Sequence, residues 1–467
     1  MLFSSLEFIF RFLPIFLIVY YIVPKKLKNL VLFFGSLCFY ALGELKYIPL
    51  ILMSVVINYI VACFIGRAKE KASLGTVWLV LGLIFNFSML FFFKYANFFF
   101  AGVEALTGNR IHIPDVTMTL PLGISFYTFT IVSYLVDVYR KEINVEKNLL
   151  KVGTYLCMFP QLLSGPIVRY EEMSGQLAER KCTISRFESG LKIFTVGLGY
   201  KVILANQLST LWNSIQTIGF ESISTPLAWF GVLSYSLQIY FDFNGYSLMA
   251  IGIGEMLGFT LPFNFAHPYM ARSVSEFWRR WHITLGQWFK NYVYIPLGGN
   301  RKGKLSQIFN LFVVWLLTGL WHGAGLNFLL WGLYLFLFIA CEKLILKPIL
   351  ARNSVLSRIY LLFVIGLSWM IFAITDFHEL SVYFTRLFPF LSKQGGIAVN
   401  SADIIKQMKS YGIFMIVGIF LSTPVAMRWY IKNKKSRICI TLLLVVFWYS
   451  IYLLALGSNN PFLYFSF

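Results

Sequence analysis

Two of the five histidines in this 467-residue chain stand where an imidazole could transfer protons. His322 lies in "LLTGLWHGAGLNFLLWG", between the apolar runs 308–321 and 326–342. A helix over the first run is about 21 Å long, shorter than a hydrocarbon core of about 30 Å. If these runs enter a membrane, the turn at His322 is predicted to lie inside it, where an ionisable group is a functional candidate. The alternative is a histidine that hydrogen-bonds a neighbouring helix and does no chemistry.

The second candidate, His282, lies in "SVSEFWRRWHITLGQWFKNYVYIPLGGNRKGK". Large apolar residues recur there at helical spacing: Phe277, Trp281, Leu285, Trp288 and Tyr292. His282 falls away from that face together with Arg279 and Lys290, which predicts an amphipathic helix at a membrane surface. Ser275 and Glu276 favour a helix start at that point. His282 is expected either to take part in the reaction or only to orient this helix.

Basic residues flank His282 on both sides. They are Arg279, Arg280, Arg301, Lys302 and Lys304. They are predicted at the cytoplasmic surface, where they could simply attract anionic lipid head groups. The sharper hypothesis is that Arg279, Arg280 and Arg301 bind the phosphates of an acyl donor through charge-assisted hydrogen bonds.

The segment 458–467, "SNNPFLYFSF", sets one tyrosine among phenylalanines without any charged residue. One interpretation is an aromatic anchor at the membrane surface. The other is an acyl relay, because a phenol has a pKa near 10 and its ester keeps a high transfer potential. A histidine could remove the Tyr464 proton as the phenol attacks an acyl thioester. The position of the tail at the end of the chain, on the side where the last span is predicted to emerge, favours the relay.

The elements that must position these residues are membrane helices. The chain is 58% hydrophobic and 13% charged, with a mean hydropathy of +0.71, which predicts an all-α polytopic membrane protein. We expect about eleven or twelve membrane segments in a single integral membrane domain, 1–467, that ends in the aromatic tail. The first apolar span shows no small-residue cleavage site and is expected to be retained.

The net charge of +20 is interpreted as basic residues that mark the cytoplasmic loops rather than as a surface for a nucleic-acid partner. The basic residues fall in short loops instead of one patch interleaved with stacking aromatics. With these loops in the cytoplasm, the last span, 438–457, runs outward and the tail is extracytoplasmic. The six cysteines show no CxxC or metal-ligand spacing, so no metal is expected.

Four segments together closely resemble the membrane-bound O-acyltransferase family, in the bacterial subgroup of alginate and peptidoglycan O-acetylation proteins. They are "FPQLLSGPIVRY" (159–170), "YFDFNGYSLMAIGIG" (240–254), "EFWRRWHITLGQWFKNYVYIPLGGNRKG" (276–303) and "GLWHGAGLNFLLWG" (319–332). The resemblance implies a ring of helices around a thin centre with a tunnel, His322 as the catalytic residue and His282 as a second family histidine. Leu248 stands where related sequences often carry an acidic residue. The "FLYFSF" tail is similar to the aromatic C-terminus of a small partner peptide in teichoic-acid D-alanylation.

The expected function is therefore a membrane O-acetyltransferase of the bacterial inner membrane. It would pass acetyl groups from cytoplasmic acetyl-CoA toward an extracytoplasmic polysaccharide such as peptidoglycan or alginate. Since the chain has no GxSxG-type nucleophile, the resemblance implies a separate esterase-like transferase whose serine finishes the reaction. A lipid or protein acceptor remains an alternative. A polysaccharide transporter is a further one, although it predicts charged residues within several spans and matched broken helices in two halves.

Overall fold

The computed structural model describes residues 1–68, 72–108, 119–163, 165–391 and 402–457. All regular structure within these ranges is helical. The prediction of an all-α polytopic membrane protein is confirmed. The predicted relay residue Tyr464, with the whole tail 458–467, lies outside the described residues.

The described residues of the first half of the chain form eleven α-helices. They are α1 (Leu13–Ile22), α2 (Lys28–Glu44), α3 (Ile48–Arg67), α4 (Ala72–Leu106), α5 (Ile124–Tyr139), α6 (Leu149–Cys157), α7 (Phe159–Leu162), α8 (Tyr170–Ala178), α9 (Ile184–Gly199), α10 (Asn206–Ile218) and α11 (Thr225–Met256). A π-helical stretch, Tyr200–Ala205, joins α9 to α10.

Ten further helices follow within the described residues. They are α12 (Val274–Arg280), α13 (Ile283–Phe289), α14 (Lys304–His322), α15 (Leu326–Cys341), α16 (Lys347–Arg352), α17 (Ser354–Ala373), α18 (Phe377–Leu387), α19 (Ala402–Ser422), α20 (Pro424–Asn433) and α21 (Arg437–Ala455). Several begin at a side chain that accepts a hydrogen bond from a main-chain N–H group of the first turn, as Asn353 does for α17 and Asp376 for α18.

Seven helical stretches in the described residues are long and apolar enough to cross a membrane. They are Lys25–Arg67, Ser73–Leu106, Lys304–His322, Leu326–Arg352, Ser354–Ala373, Ala402–Ser422 and Arg437–Ala455. Phe8–Ile22 and Ile124–Tyr139 are shorter apolar helices. The chain is therefore a multi-pass membrane protein.

Helix boundaries differ from the apolar runs of the sequence at three places. The apolar run 149–168 is divided into α6 and α7, because Met158 leaves the helical region directly before α7. The apolar run 410–427 is helical as far as Ser422, and Pro424 starts a new helix. The helix before His322 begins at Lys304 rather than at 308, so its 19 residues span about 28 Å. The helical break after His322 is present, but the preceding helix is long enough to cross a membrane, contrary to the prediction.

The chain divides into two compact units. The first contains Met1–Phe194, Ala250–Pro262 and Lys290–Tyr292, and the second contains Thr195–Met249, Phe263–Phe289 and Val293–Phe467. Both predicted histidines and the three arginines belong to the second unit.

A buried ionic cluster stabilises the first unit. Asp137, fully buried on α5, accepts hydrogen bonds from Nε and Nη2 of Arg169 at 3.1 and 3.0 Å. The Tyr292 hydroxyl group donates to the same carboxylate at 2.8 Å. Since an isolated buried charge is costly, this arrangement compensates the carboxylate and fixes Arg169 of the first motif.

Candidate catalytic site

The WHG segment is positioned by an unusually close helix pair, α14 and α15. A Cβ atom on Gly319 would lie 2.5 Å from the main-chain oxygen of Phe328, and one on Gly332 would lie 2.5 Å from that of Trp315. Real Cβ atoms essentially never approach that closely, so only glycine permits this packing. α14 ends at His322, and the chain turns through 323–325 into α15.

His322 is 7% exposed and lies among aromatic rings. The centroid of its ring is 4.9 Å from that of Trp321, 5.0 Å from that of Trp331 and 5.3 Å from that of Phe372. Asn327 donates a hydrogen bond to the main-chain oxygen of Phe372 at 3.1 Å, which holds the end of α17 beside the histidine. The imidazole thus sits in a low-dielectric aromatic pocket, where its interactions with polar reacting groups are stronger than in water.

His282 lies in a break between two helices, not within one amphipathic helix as predicted. α12 ends at Arg280, His282 adopts a left-handed conformation with φ of 44°, and α13 begins at Ile283. The break turns His282 into the protein, where it is 2% exposed. The prediction that it falls on a polar face is therefore wrong, whereas the apolar residues Phe277 and Trp281 are buried as expected. The helix cap is Ser273, which accepts from the Glu276 main-chain N–H group, rather than Ser275.

Burial also determines the charge of His282. The flanking helices, α12 and α13, are not among the candidate membrane spans. Desolvation lowers the pKa of His282 to about 3, well below the ordinary value of histidine. The side chain is therefore neutral at physiological pH and acts as a hydrogen-bonding group rather than as a cation.

The tertiary structure brings the two histidines to one place. Trp321 lies beside both of them, with ring-centroid distances of 6.1 Å to His282 and 4.9 Å to His322. The ring of Phe243, from the motif at 240–254, packs against His282 with a distance of 4.7 Å between the two ring centroids. Residues from three of the four recognised segments therefore meet around His282.

The same motif at 240–254 contains a buried ion pair. Asp242 lies 2.5 Å from the Lys201 amine, and both side chains are almost fully buried. Leu248, which replaces an acidic residue common in related sequences, is also buried. The carboxylate of this segment is thus engaged with Lys201, and position 248 contributes an apolar side chain.

The predicted phosphate-binding arginines occupy accessible positions. Arg279 and Arg301 are exposed, and Arg301 follows a loop in which Gly298 and Gly299 have positive φ angles. Arg280 is partly exposed and forms an ion pair with Glu276 at 2.5 Å. Two of the three guanidinium groups are therefore presented to solvent or to a ligand, and the third is already partly neutralised.

Three positioning residues escaped the sequence analysis. Asn264 contacts the break at His282, Asn327 holds Phe372, and the buried carboxylate of Glu342 accepts from the main-chain N–H groups of Val274 and Ser275 at 2.5 and 2.9 Å. Glu342 thereby anchors the start of α12. Its carboxylate at the end of the apolar run 326–342 was the one signal that could have indicated it.

The described ranges contain no group of three or more histidine, cysteine, aspartate or glutamate side chains placed to hold a metal ion. The described site offers imidazole, indole and amide groups in an apolar pocket.

Comparison with known proteins identifies relatives over this region and beyond it. Residues 140–377 match the family described as MBOAT, membrane-bound O-acyltransferase. A probable alginate O-acetylase, AlgI of Pseudomonas putida KT2440, is 34% identical over all of this chain and all of its own length. The peptidoglycan O-acetyltransferase of Helicobacter pylori 26695 is 39% identical over 71% of this chain and 68% of its own. The teichoic acid D-alanyltransferase of Bacillus subtilis 168 is 27% identical over 50% of this chain and 62% of its own.

Proposed function

Because the chain belongs to the membrane-bound O-acyltransferase family, we propose that it delivers acetyl groups for the O-acetylation of an extracytoplasmic polysaccharide. It is a multi-pass O-acyltransferase. Relatives named for alginate and peptidoglycan O-acetylation support acetyl as the group and a glycan as the acceptor.

The observation that carries this proposal is the convergence of His322 and His282 on Trp321. Both histidines lie within the residues that match the family. An imidazole in a pocket that excludes most water is suited to general-base catalysis near neutral pH. We assign His322 as the base and His282 as a neutral partner in the same site.

The proposed transfer begins with acetyl-CoA on the cytoplasmic side. His322 takes the proton of the attacking hydroxyl group, and the oxygen of that hydroxyl group bonds to the acetyl carbonyl carbon. The carbon–sulfur bond then breaks, and the coenzyme A thiolate receives a proton. The attacking group in this proposal is the phenol of Tyr464, whose aryl ester keeps enough transfer potential to pass the acetyl group onward.

Donor binding is assigned to Arg279, Arg280 and Arg301. Guanidinium groups bind phosphate through paired, charge-assisted hydrogen bonds. The exposure of Arg279 and Arg301 supports this role, because a ligand can reach them. The ion pair of Arg280 with Glu276 makes it the weakest of the three candidates.

The remaining steps require a partner and a defined orientation. We propose that the chain lies in the bacterial inner membrane among anionic lipids, with its C-terminus extracytoplasmic. A separate esterase-like O-acetyltransferase with a serine nucleophile would take the acetyl group and transfer it to the polymer. The GxSxG motif, which presents the nucleophilic serine in esterase-like enzymes, does not occur in this sequence.

The test is polymer acetylation in cells that depend on the His322→Ala variant. Acetylation should fall to the level of cells without the protein, because no other described group in the WHG segment can act as the base. His378→Ala is the matched control, since His378 is exposed on α18 and should be dispensable. Membrane levels of both variants should equal wild type. Undiminished acetylation with His322→Ala would refute the mechanism. If cells with the wild-type protein carry its acetyl groups only on a lipid or a protein, the acceptor is not a polysaccharide.

A further inference from the structure

Asn264 lies directly against the helix break that carries His282. It is 1% exposed, and its main-chain oxygen accepts a hydrogen bond from the Ile283 N–H group at 3.0 Å. Two residues later, the Ala266 N–H group donates to the main-chain oxygen of Arg280 at 3.0 Å. The segment 264–266 is thus attached to both sides of the break.

The orientation of the Asn264 amide group follows from the groups that donate hydrogen bonds to it. Its Oδ1 atom accepts from the Thr284 hydroxyl group at 2.7 Å and from the Thr284 main-chain N–H group at 3.3 Å. A main-chain N–H group can only donate, so the atom that faces it must be the carbonyl oxygen and not the amide nitrogen. The neighbouring main chain therefore determines which way this amide points.

The same oxygen determines the tautomer of His282. Nδ1 of His282 lies 3.4 Å from Asn264 Oδ1. Because that oxygen can only accept, a hydrogen bond between the two atoms requires a proton on Nδ1. In a neutral imidazole the lone pair is then on Nε2.

We propose that Asn264 is a positioning residue that holds His282 as the Nδ1-protonated tautomer, so that Nε2 is the hydrogen-bond acceptor that His282 presents in the site. This inference rests on the proposed function, because it assigns a role within that site. Asn264 itself does not touch the substrate. It acts through the orientation of the imidazole, as the partners of metal-bound histidines do.

Backbone strain at His282 supports a functional role for the arrangement. A φ of 44° is uncommon for a residue other than glycine and costs about 1 kcal/mol or more. Such conformations persist when the surroundings over-determine them, and they cluster at functional sites. Here the main-chain bond from Ile283 and the side-chain bonds from Thr284 hold the strained residue against Asn264.

The test is nitrogen-15 NMR of the full-length protein labelled on its histidines and reconstituted in lipid. The His282 signals are assigned by their loss in His282→Gln. The expected wild-type spectrum shows a protonated Nδ1 and an unprotonated Nε2 at His282. A proton on Nε2 in the wild-type protein would overturn the proposal, whatever the variants do.

Three variants separate orientation from folding. Asn264→Asp keeps an acceptor for Nδ1 and should keep the tautomer, whereas Asn264→Leu has similar volume and no acceptor. The latter should mix the tautomers and lower kcat by about 10- to 100-fold with little change in KM. Thr284→Val removes the hydroxyl donor to the same oxygen but leaves the histidine bond, so it should preserve the tautomer.

An Asn264→Leu protein that retains the wild-type tautomer and kcat would also overturn the proposal. If Asn264→Leu does not fold, the wild-type spectrum and Asn264→Asp still decide the outcome. The spectrum does not depend on the substrate, so a wrong acceptor in the proposed function would leave the tautomer result unchanged. The two failures are therefore distinguishable.

Discussion

Replacement of Gly319 by alanine should disable the site without removing any functional group. The added Cβ atom would lie 2.5 Å from the main-chain oxygen of Phe328, and it needs at least 3.0 Å. α14 and α15 must therefore separate by about half an ångström or more, since neither atom belongs to a flexible side chain. Overpacking of this kind costs about 1–3 kcal/mol. His322, three residues along α14, should move with its helix.

The effect on activity should exceed the effect on stability. A displacement of about 1 Å can reduce catalysis about 100-fold, so we expect Gly319→Ala to lower acetyl transfer between about 10- and 100-fold. Transfer is measured as acetyl groups per polymer repeat at matched protein levels, and stability as the unfolding temperature in detergent. Both are compared with the wild-type protein.

Gly412 provides the matched control for this experiment. It is also a helical glycine of the second unit, on α19, but a Cβ atom there would meet no atom within 4 Å. Gly412→Ala should leave activity unchanged and stabilise its helix by up to about 1 kcal/mol. If Gly319→Ala were as active and as stable as Gly412→Ala, the close packing of α14 on α15 would not control the position of His322.

Three further predictions test other parts of the chain. Tyr464→Phe should abolish transfer at normal protein levels if the tail is a relay, and mass spectrometry of the wild-type C-terminal peptide should find a trapped acetyl-tyrosine; full activity of Tyr464→Phe would indicate an anchor. Replacement of Arg279, Arg280 and Arg301 by glutamine should weaken coenzyme A binding in a direct binding assay, whereas unchanged affinity with reduced lipid association would indicate lipid contacts. Arg169→Leu leaves the buried Asp137 carboxylate without its cation and should lower the free energy of unfolding by about 3–5 kcal/mol, measured as a lower unfolding temperature. Wild-type stability would show that the hydrogen bond from Tyr292 alone compensates the buried carboxylate.

Local sequence patterns anticipated part of the candidate site. The apolar runs on either side of His322 predicted a turn there, and α14 ends at that residue. The spacing of Phe277 and Trp281 predicted which side chains are buried, because Phe277 lies in α12 and Trp281 directly follows its last residue. The prediction for His282 was wrong because helical spacing assigns faces only while the helix continues, and the break comes directly before this residue.

The sequence by itself determined that this chain crosses a membrane and belongs to an O-acyltransferase family, since both follow from composition and from contiguous motifs. Tertiary structure alone decided how the site is assembled. Asn264 meets His282 across 18 residues, Asn327 meets Phe372 across 45, and Glu342 meets Val274 across 68. Each contact joins a polar side chain to a partner that no periodic pattern identifies, because a hydrogen bond depends on the positions of two atoms rather than on the polarity of a helix face.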